Sequence, residues 1–317
     1  MKGSLIVFIV CLSLGLSIAQ ENKLSIDSMR THDPATLQTH SGKYWLFSTG
    51  KGIRTVWSSD LENFTSADPV FAEGTWPEWV NKYVPDFKGH FWAPDVLFFN
   101  GKYHLYYSCS SFGKSTSAIG LVVNKTLDPS SQEYQWEDRG EVVTSSIKTD
   151  VNAIDPGFLK SKNGRVFLTF GSWHGGIAVG EIDTLSGKFI EPIDLKKIAG
   201  GNHEAWEAPA LIQNGNDYFL LVNTGICCKG LESTYQIVMG KSDSPLGPFL
   251  DKEGIDLNLG GGSIFLSSAG RIHGPGHFSL SNEGKVGIHY YDTLDHGIPK
   301  YKIYELAFKD GWPRIIE

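Results

Sequence analysis

The sequence predicts an all-β protein folded as a five-bladed β-propeller, and three observations support this prediction. A proline at the start of an apolar run recurs five times, roughly every 50–65 residues. Each proline is followed by a Gly-bearing turn and an aromatic-rich run, such as NGKYHLYYS or NGNDYFLLVN, and then by a third apolar run. Strand repeats of this length are typical of propeller blades, which gather equivalent positions around one axis.

The repeated units cover most of the chain. Turn signals such as NGK, NGR and EGK between the strand runs predict hairpins inside each unit. Segment 73–89 interrupts the first unit and is expected to carry a short helical turn. The tail at 302–308 resembles an added strand that, with segment 21–28, is expected to close the ring. The predicted units are 28–88, 89–148, 149–203, 204–263 and 264–313.

Residues 1–19 have the features of a secretory signal peptide. Lys2 supplies a positive charge, an apolar stretch follows, and Ser17-Ile18-Ala19 is a small-x-small cleavage site. The apolar stretch is too short to span a bilayer comfortably. We therefore expect a secreted or periplasmic protein in which residues 20–317 form one propeller domain.

Charge and composition restrict the class of ligand. The chain carries a net charge of −7, which disfavours nucleic acid and anionic membranes as partners. No phosphate-binding or dinucleotide-binding motif follows a strand, so no organic cofactor is expected. The chain has nine tryptophans, and flat aromatic faces suit the apolar faces of sugars.

Three cysteines follow the predicted signal peptide, namely Cys109, Cys227 and Cys228. An odd number of cysteines does not make a disulfide framework. The adjacent pair could form a strained vicinal disulfide, or its members could be two small packing residues in a turn. The sequence leaves both interpretations open.

Acidic residues stand at matched positions of three units. The residues before the five prolines are Asp33, Ala93, Asp155, Ala208 and Gly274. Since alanine and glycine also serve there, the repeat itself does not require an acid. Glu207 lies one position earlier than Ala208, and its longer side chain could reach the same centre. The alternative is that Asp-Pro is only a favourable turn pair, but three acids at matched positions favour one shared site.

Three carboxyl groups near one axis favour acid–base chemistry. Like charges in proximity raise at least one pKa, and glycosidases combine a protonated carboxyl with an ionised one. Asp95 and Glu204 are weaker candidates. Strand alternation turns Asp95 away from the direction of Asp33, and Glu204 falls in the preceding loop.

Histidines accompany the starts of two units. For His32 and His273 a structural hydrogen bond is the expected role. His277 belongs to the unit that lacks an acid, and both a metal-ligand and a substrate role remain open for it. Neither a zinc spacing nor an acidic calcium loop accompanies it.

An ordered set of motifs resembles glycoside hydrolase family 43, and within it the endo-acting α-1,5-L-arabinanases. The resemblance covers nearly all of the predicted mature chain. Its motifs are THDPA at 31–35, YVPDFKGHFWAPDV at 83–96, SSFGKSTSAIGL at 110–121, NAIDPG at 152–157, WEAPAL at 206–211, CCKG at 227–230, STYQIVMGKS at 233–242 and GPGH at 274–277. The loop at 200–209 departs from the family pattern, which bears on subsites and chain-length preference.

This resemblance implies a secreted enzyme that hydrolyses internal bonds of arabinan with inversion of configuration. It implies Asp33 as general base, Glu207 as general acid and Asp155 as the residue that raises the pKa of the acid and orients it. It also implies a calcium ion near the axis, held by His277 and water, and a monomer. The substrate contacts that it implies are Trp92, Phe112, Asn152, Ser172 and Trp173.

Two other functions remain open at this point. An exo-acting arabinofuranosidase or β-xylosidase could use the same scaffold, although no second domain follows to block the groove. A non-catalytic carbohydrate-binding propeller is the other alternative. The three acids argue against a binding protein, because a lectin does not need a glutamate with a shifted pKa.

Overall fold

The computed structural model describes residues 23–201 and 203–316, which form five antiparallel sheets arranged as the blades of a propeller. The predicted all-β, five-bladed propeller is therefore confirmed. The proposed signal peptide at 1–19 lies outside the described residues. Within these residues, no helix has the length and apolar character needed to cross a membrane.

The elements follow the order expected from the repeat. The first eleven are β1 (Lys23–Ser25), β2 (Gln38–His40), β3 (Lys43–Ser48), β4 (Gly50–Lys51), β5 (Arg54–Ser58), β6 (Asn63–Ala67), α1 (Trp79–Tyr83), β7 (His90–Phe99), β8 (Lys102–Cys109), β9 (Ser117–Asn124) and β10 (Glu137–Ser145). They are followed by β11 (Gly157–Lys160), β12 (Val166–Phe170), β13 (Ile177–Asp183), β14 (Lys188–Phe189), β15 (Lys196–Ala199), β16 (Trp206–Asn214), β17 (Asp217–Thr224), β18 (Gln236–Ser242), β19 (Ser263–Leu266), β20 (Ile272–Leu280), β21 (Lys285–Asp292), β22 (Ile298–Lys309) and β23 (Trp312–Ile316).

The sheets agree with the predicted units except at their edges. Their strand orders are β1-β6-β5-β3-β2, β10-β9-β8-β7-β4, β11-β12-β13-β14 with β15 on β13, β16-β17-β18-β19, and β20-β21-β22-β23. Strand β1 begins before residue 28, and β4 of the first unit joins the second sheet. Strand β19 crosses the boundary predicted at 263. The helical turn expected in 73–89 is present as α1.

Polar side chains on the second strands connect neighbouring blades. In the described part of the chain, this holds at four of the five junctions. At each, a side chain on the second strand, or on the residue directly after it, accepts a hydrogen bond from a backbone N–H of the next blade. The N–H of Ala93 donates to Thr49 (2.8 Å), that of Asp155 to Ser108 (3.0 Å), that of His277 to Asn223 (2.8 Å), and that of Asp33 to His289 (3.1 Å). These bonds fix the starts of the inner strands, where the predicted acids lie.

The expected closure of the ring by the two terminal segments is wrong. Strand β1 pairs with β6 at the outer edge of the first blade. Residues 302–308 lie within β22, the third strand of the last blade, and β23 completes that blade. Because the last blade is filled by its own strands, it needs no donated one. The His289 bond to Asp33 and a bridge between Arg30 and Lys300 join the last blade to the first.

The core lies between the blades. One cluster joins Tyr106 and Leu121 of the second blade to Leu168 and Phe170 of the third, all buried. Burying a side chain of this size contributes about 1.5–3 kcal/mol. This packing joins neighbouring blades and contributes to the stability of the scaffold that carries the inner strands.

Candidate active site

The candidate acids lie where the inner strands begin, in an unusual backbone conformation. All five residues before the repeated prolines have positive φ: Asp33 (50°), Ala93 (35°), Asp155 (59°), Ala208 (54°) and Gly274 (53°). This left-handed region is uncommon for residues other than glycine. In β16 the pairing register shifts between Glu207 and Ala210, as in a β-bulge. Bulges re-aim side chains, which explains how Glu207, one position early, faces the same space as the aspartates.

All three acids and all five predicted substrate contacts border one cleft of about 1060 Å³. The eight residues are Asp33, Trp92, Phe112, Asn152, Asp155, Ser172, Trp173 and Glu207. They come from four of the predicted units, so the propeller brings together residues far apart in sequence. His277 does not border the cleft. It borders a second cavity of about 210 Å³ with Pro34, Pro156 and Pro209, which we call the axial cavity.

Asp33 lies among imidazoles and hydroxyls. Its Oδ1 is 2.8 Å from His32 Nδ1 and 3.6 Å from the Nδ1 atoms of both His277 and His289. Its Oδ2 accepts a 2.6 Å hydrogen bond from Thr49. Burial alone would raise the pKa of Asp33, but the charge and hydrogen bond of His32 hold it well below its usual range. Asp33 is therefore ionised at neutral pH.

Asp155 and Glu207 form the opposite electrostatic environment. Burial raises the pKa of Asp155 well above its usual value, and the charges of Glu207 and Asp33 raise it further. Burial also raises the pKa of Glu207, against hydrogen bonds from Ser172 and Tyr235 that lower it. Asp155 Oδ2 accepts the N–H of Ala208 at 3.1 Å. It thereby holds the backbone next to Glu207.

Glu207 is oriented by Ser172, which follows β12, and by Tyr235, which precedes β18. Ser172 Oγ donates a 2.7 Å hydrogen bond to Glu207 Oε2. Tyr235 approaches from the fourth blade and is buried. A Cβ at Gly276 would lie 2.2 Å from the Tyr235 ring, so only glycine allows the ring this position. Gly276, the second glycine of GPGH, therefore leaves room for the Tyr235 ring, which bonds Glu207.

The aromatic residues supply an apolar surface to the cleft. Phe112 is 84 % exposed, although it is a large apolar side chain, and its ring centroid is 6.4 Å from that of Trp92. Trp173 is 37 % exposed. Asn152 is buried and accepts a 3.2 Å hydrogen bond from Ser145. Exposed aromatic faces beside a polar floor suit a sugar ring.

Two groups of residues near the axis offer donor atoms to a cation. In the described chain, His32, Asp33 and His289 have ligand atoms within 4.8 Å of one another. This nitrogen-rich set does not fit calcium, which prefers six to eight oxygens. His277 fits better, because the axial cavity beside it has room for several waters. A calcium ion there would take its oxygen ligands from water.

The structure also identifies site residues that sequence reasoning missed. His32 was expected to be structural, yet it borders the cleft and bonds both Asp33 and Tyr291. His289 on β21 and Thr49, directly after β3, also hold Asp33. A signal existed for Thr49 and His289, because each lies on a second strand, or directly after one, where a small or polar side chain recurs. Asp95 lies outside the cleft, as predicted, and binds three backbone N–H groups.

One ionised carboxyl and one carboxyl with a raised pKa that face an open, aromatic-lined cleft define a glycoside hydrolase site on a propeller. The chain belongs to the glycosyl hydrolases family 43, whose family model matches residues 25–313.

Similar proteins include enzymes with both modes of cleavage. The chain is 40% identical over 304 residues to an extracellular exo-α-(1→5)-L-arabinofuranosidase of Cellvibrio japonicus, covering 90% of this chain and 86% of that protein. It is 38% identical over 286 residues to an extracellular endo-α-(1→5)-L-arabinanase of Bacillus subtilis, covering 89% and 86%. The solved α-L-arabinanase of Cellvibrio cellulosa with arabinohexaose is 38% identical, with a TM-score of 0.85, covering 91% of this chain and 96% of that one.

Proposed function

We propose that this glycoside hydrolase cleaves internal α-1,5-L-arabinofuranosidic bonds of arabinan with inversion of configuration. One observation carries the proposal: Asp33 is ionised and Glu207 has a raised pKa, and both face one open cleft. Such a pair can activate a water on one side of a bond and protonate the leaving group on the other. Relatives named arabinanases supply the substrate class.

In the proposed reaction, Asp33 takes a proton from a water as the water oxygen attacks the anomeric carbon. The glycosidic C–O bond breaks, and Glu207 gives its proton to the departing oxygen. Water needs space between the two carboxyl groups, so inversion calls for a separation of about 6.5–9.5 Å. Asp155 is proposed to favour the protonated form of Glu207 and to orient it, since Asp155 Oδ2 accepts the N–H of the next residue, Ala208, at 3.1 Å.

The aromatic side chains are proposed to bind arabinose units along the cleft. Phe112 and Trp173 present exposed faces, and Trp92 supports Phe112. Asn152 and Ser172 are buried polar residues of the floor, and Ser172 is already bonded to Glu207. Removing Phe112 is expected to raise KM for arabinan more than it lowers kcat.

An exo-acting arabinofuranosidase is the second candidate, because a relative at 40% identity has that activity in its name. The test is to incubate the purified protein with linear, debranched arabinan and to separate the products by chromatography. A ladder of oligosaccharides supports internal cleavage, whereas arabinose or one short product from the earliest time points contradicts it. If neither arabinan nor xylan is cleaved, the proposed substrate class is contradicted.

We also propose that His277 and water hold a calcium ion at the axial cavity. The ion would supply positive charge close to the carboxylates of the cleft. Addition of calcium to chelator-treated protein should raise its melting temperature, and titration calorimetry should give one binding site. His277→Gln should lose both responses. Equal stabilisation of wild type and His277→Gln would contradict this assignment.

The proposed location is outside the cytoplasm, since residues 1–19 resemble a signal peptide and two relatives are named extracellular. Mass spectrometry of the exported protein should find a chain that begins at Gln20. Light scattering should give the mass of one chain.

A further inference from the structure

Two adjacent thiols lie in the cleft and have no place in the proposed hydrolysis. Cys228 is exposed, Cys227 is partly buried, and both border the cleft with Asp33 and Glu207. The remaining cysteine of the described chain, Cys109, is buried in β8. The pair is therefore accessible to small molecules that enter the cleft, whereas Cys109 is not.

Cys228 is held against the base side of the cleft. Its Sγ is 3.8 Å from His32 Nε2, and its N–H donates a 2.6 Å hydrogen bond to the Tyr291 hydroxyl. The other nitrogen of His32 is 2.8 Å from Asp33. The backbone of Cys228 has a φ of 64°, a region that a residue other than glycine enters only when its surroundings impose it. The Cys228 thiol therefore contacts the His32 imidazole, which in turn contacts the Asp33 carboxylate.

The two thiols are also hydrogen-bonded to each other. The hydrogen bond from Cys227 lowers the pKa of Cys228 to about 5, and the neighbouring His32 adds to the effect. The same bond raises the pKa of the Cys227 thiol. Cys228 is therefore the attacking thiolate, and Cys227 is positioned as the thiol that resolves the product.

We propose that Cys227 and Cys228 form a modification site for small-molecule disulfides and interconvert between a dithiol and a vicinal disulfide. Cys228 attacks one sulfur of the reagent, whose S–S bond breaks and releases a thiolate. Cys227 then attacks Cys228, and the second reagent thiolate leaves with the Cys227 proton. Counted from the dithiol, the protein loses two protons and two electrons, and the reagent is reduced to two thiols.

Adjacent cysteines favour a bond that reforms and breaks easily. Neighbouring Cα atoms are about 3.8 Å apart, below the roughly 4.4–6.8 Å of ordinary disulfides. Disulfides outside this range are more readily reduced. Relatives of this chain are named extracellular, and the extracellular environment favours the oxidised state.

Mass spectrometry tests disulfide formation independently of hydrolysis. The folded protein is treated with oxidised glutathione, and free thiols are then labelled with iodoacetamide under denaturing conditions. Of Cys109, Cys227 and Cys228, we expect only Cys109 to be labelled, with a Cys227–Cys228 cross-link that dithiothreitol removes. Cys227→Ser should instead keep glutathione on Cys228. Labelling of both Cys227 and Cys228 in the wild type, or a persistent mixed disulfide on Cys228, would overturn the proposal.

A second measurement rests on the proposed function and uses arabinan hydrolysis. Reduced protein treated with iodoacetamide should lose most of its activity, because the added group projects from Cys228 into the cleft. Oxidised protein and Cys228→Ser should keep their activity after the same treatment. Each is compared with its own untreated rate. Loss in all three samples would overturn the assignment to Cys228. A protein that forms the cross-link but never cleaves arabinan would contradict only the proposed function.

Discussion

The base side and the acid side of the cleft both bury carboxyl groups, yet they shift the pKa in opposite directions. Asp33 has three imidazole nitrogens within 3.6 Å of one oxygen, and its pKa falls. Burial raises the pKa of both Asp155 and Glu207, and the charge of Glu207 raises that of Asp155 further. Burial opposes charge on both sides. The neighbouring groups therefore decide which carboxyl is ionised, and this division allows one to act as base and the other as acid.

The largest expected effect comes from removing the proton of the acid side. Glu207→Gln should lower kcat on arabinan by about 10²–10⁴, because the amide cannot protonate the leaving oxygen. The measurement is the initial rate on linear arabinan. Glu204→Gln is the matched control, since Glu204 is an exposed glutamate three residues away. Near-normal activity of Glu207→Gln would remove Glu207 from the role of acid.

Removing the charge of the base side should have a comparable effect. Asp33→Asn keeps the size of the side chain but cannot take a proton from water, so kcat should also fall by about 10²–10⁴. Asp95→Asn is the control, because Asp95 is a buried aspartate next to a repeated proline that lies outside the cleft. Equal losses in both variants would show that the fold, and not the base, had been damaged.

A smaller change should move the pH dependence of the acid side alone. Ser172 donates a hydrogen bond to Glu207, which favours the ionised carboxylate and lowers its pKa. In Ser172→Ala the pKa of Glu207 should rise, so the acid stays protonated to higher pH. The alkaline limb of the kcat profile should therefore shift upward by about one pH unit. A downward shift would contradict this role of Ser172. Ser161→Ala is the control, because Ser161 is a buried serine outside the cleft.

The smallest expected effect on catalysis comes from Asp95, which illustrates a buried carboxyl with a structural role. Burial raises its pKa to about 6, although three backbone N–H bonds oppose the rise. Asp95→Asn should cost about 1–3 kcal/mol in the free energy of unfolding, because an amide cannot accept all three bonds. Urea denaturation measures this cost.

The raised pKa of Asp95 also predicts how stability depends on pH. The folded protein binds this proton more tightly than the unfolded chain, whose aspartate has a pKa near 3.8. The contribution of Asp95 is therefore present below about pH 4 and is lost as the pH rises to about 6. Asp95→Asn should lack this component between the two values. An unchanged dependence in the variant would mean that Asp95 has an ordinary pKa.

Repetition in the sequence was enough to predict the blades and the convergence of the acids. Five proline-led units define five sheets, and the absence of an acid before Pro94, Pro209 and Pro275 distinguishes the blades. Symmetry then places Asp33, Asp155 and Glu207 in one cleft without any knowledge of contacts. The loop 73–89 and its helical turn were likewise readable from local residue pattern.

Only the tertiary structure decided what surrounds each acid. The His289 bond that closes the ring, the Cys228 contact with His32 and the position of Tyr235 all join residues from different blades. The predicted closure by terminal strands failed for the same reason, because pairing depends on which blade edge is already filled. Local sequence pattern determines period and face, whereas pKa values and closure depend on distances between residues that are remote in sequence.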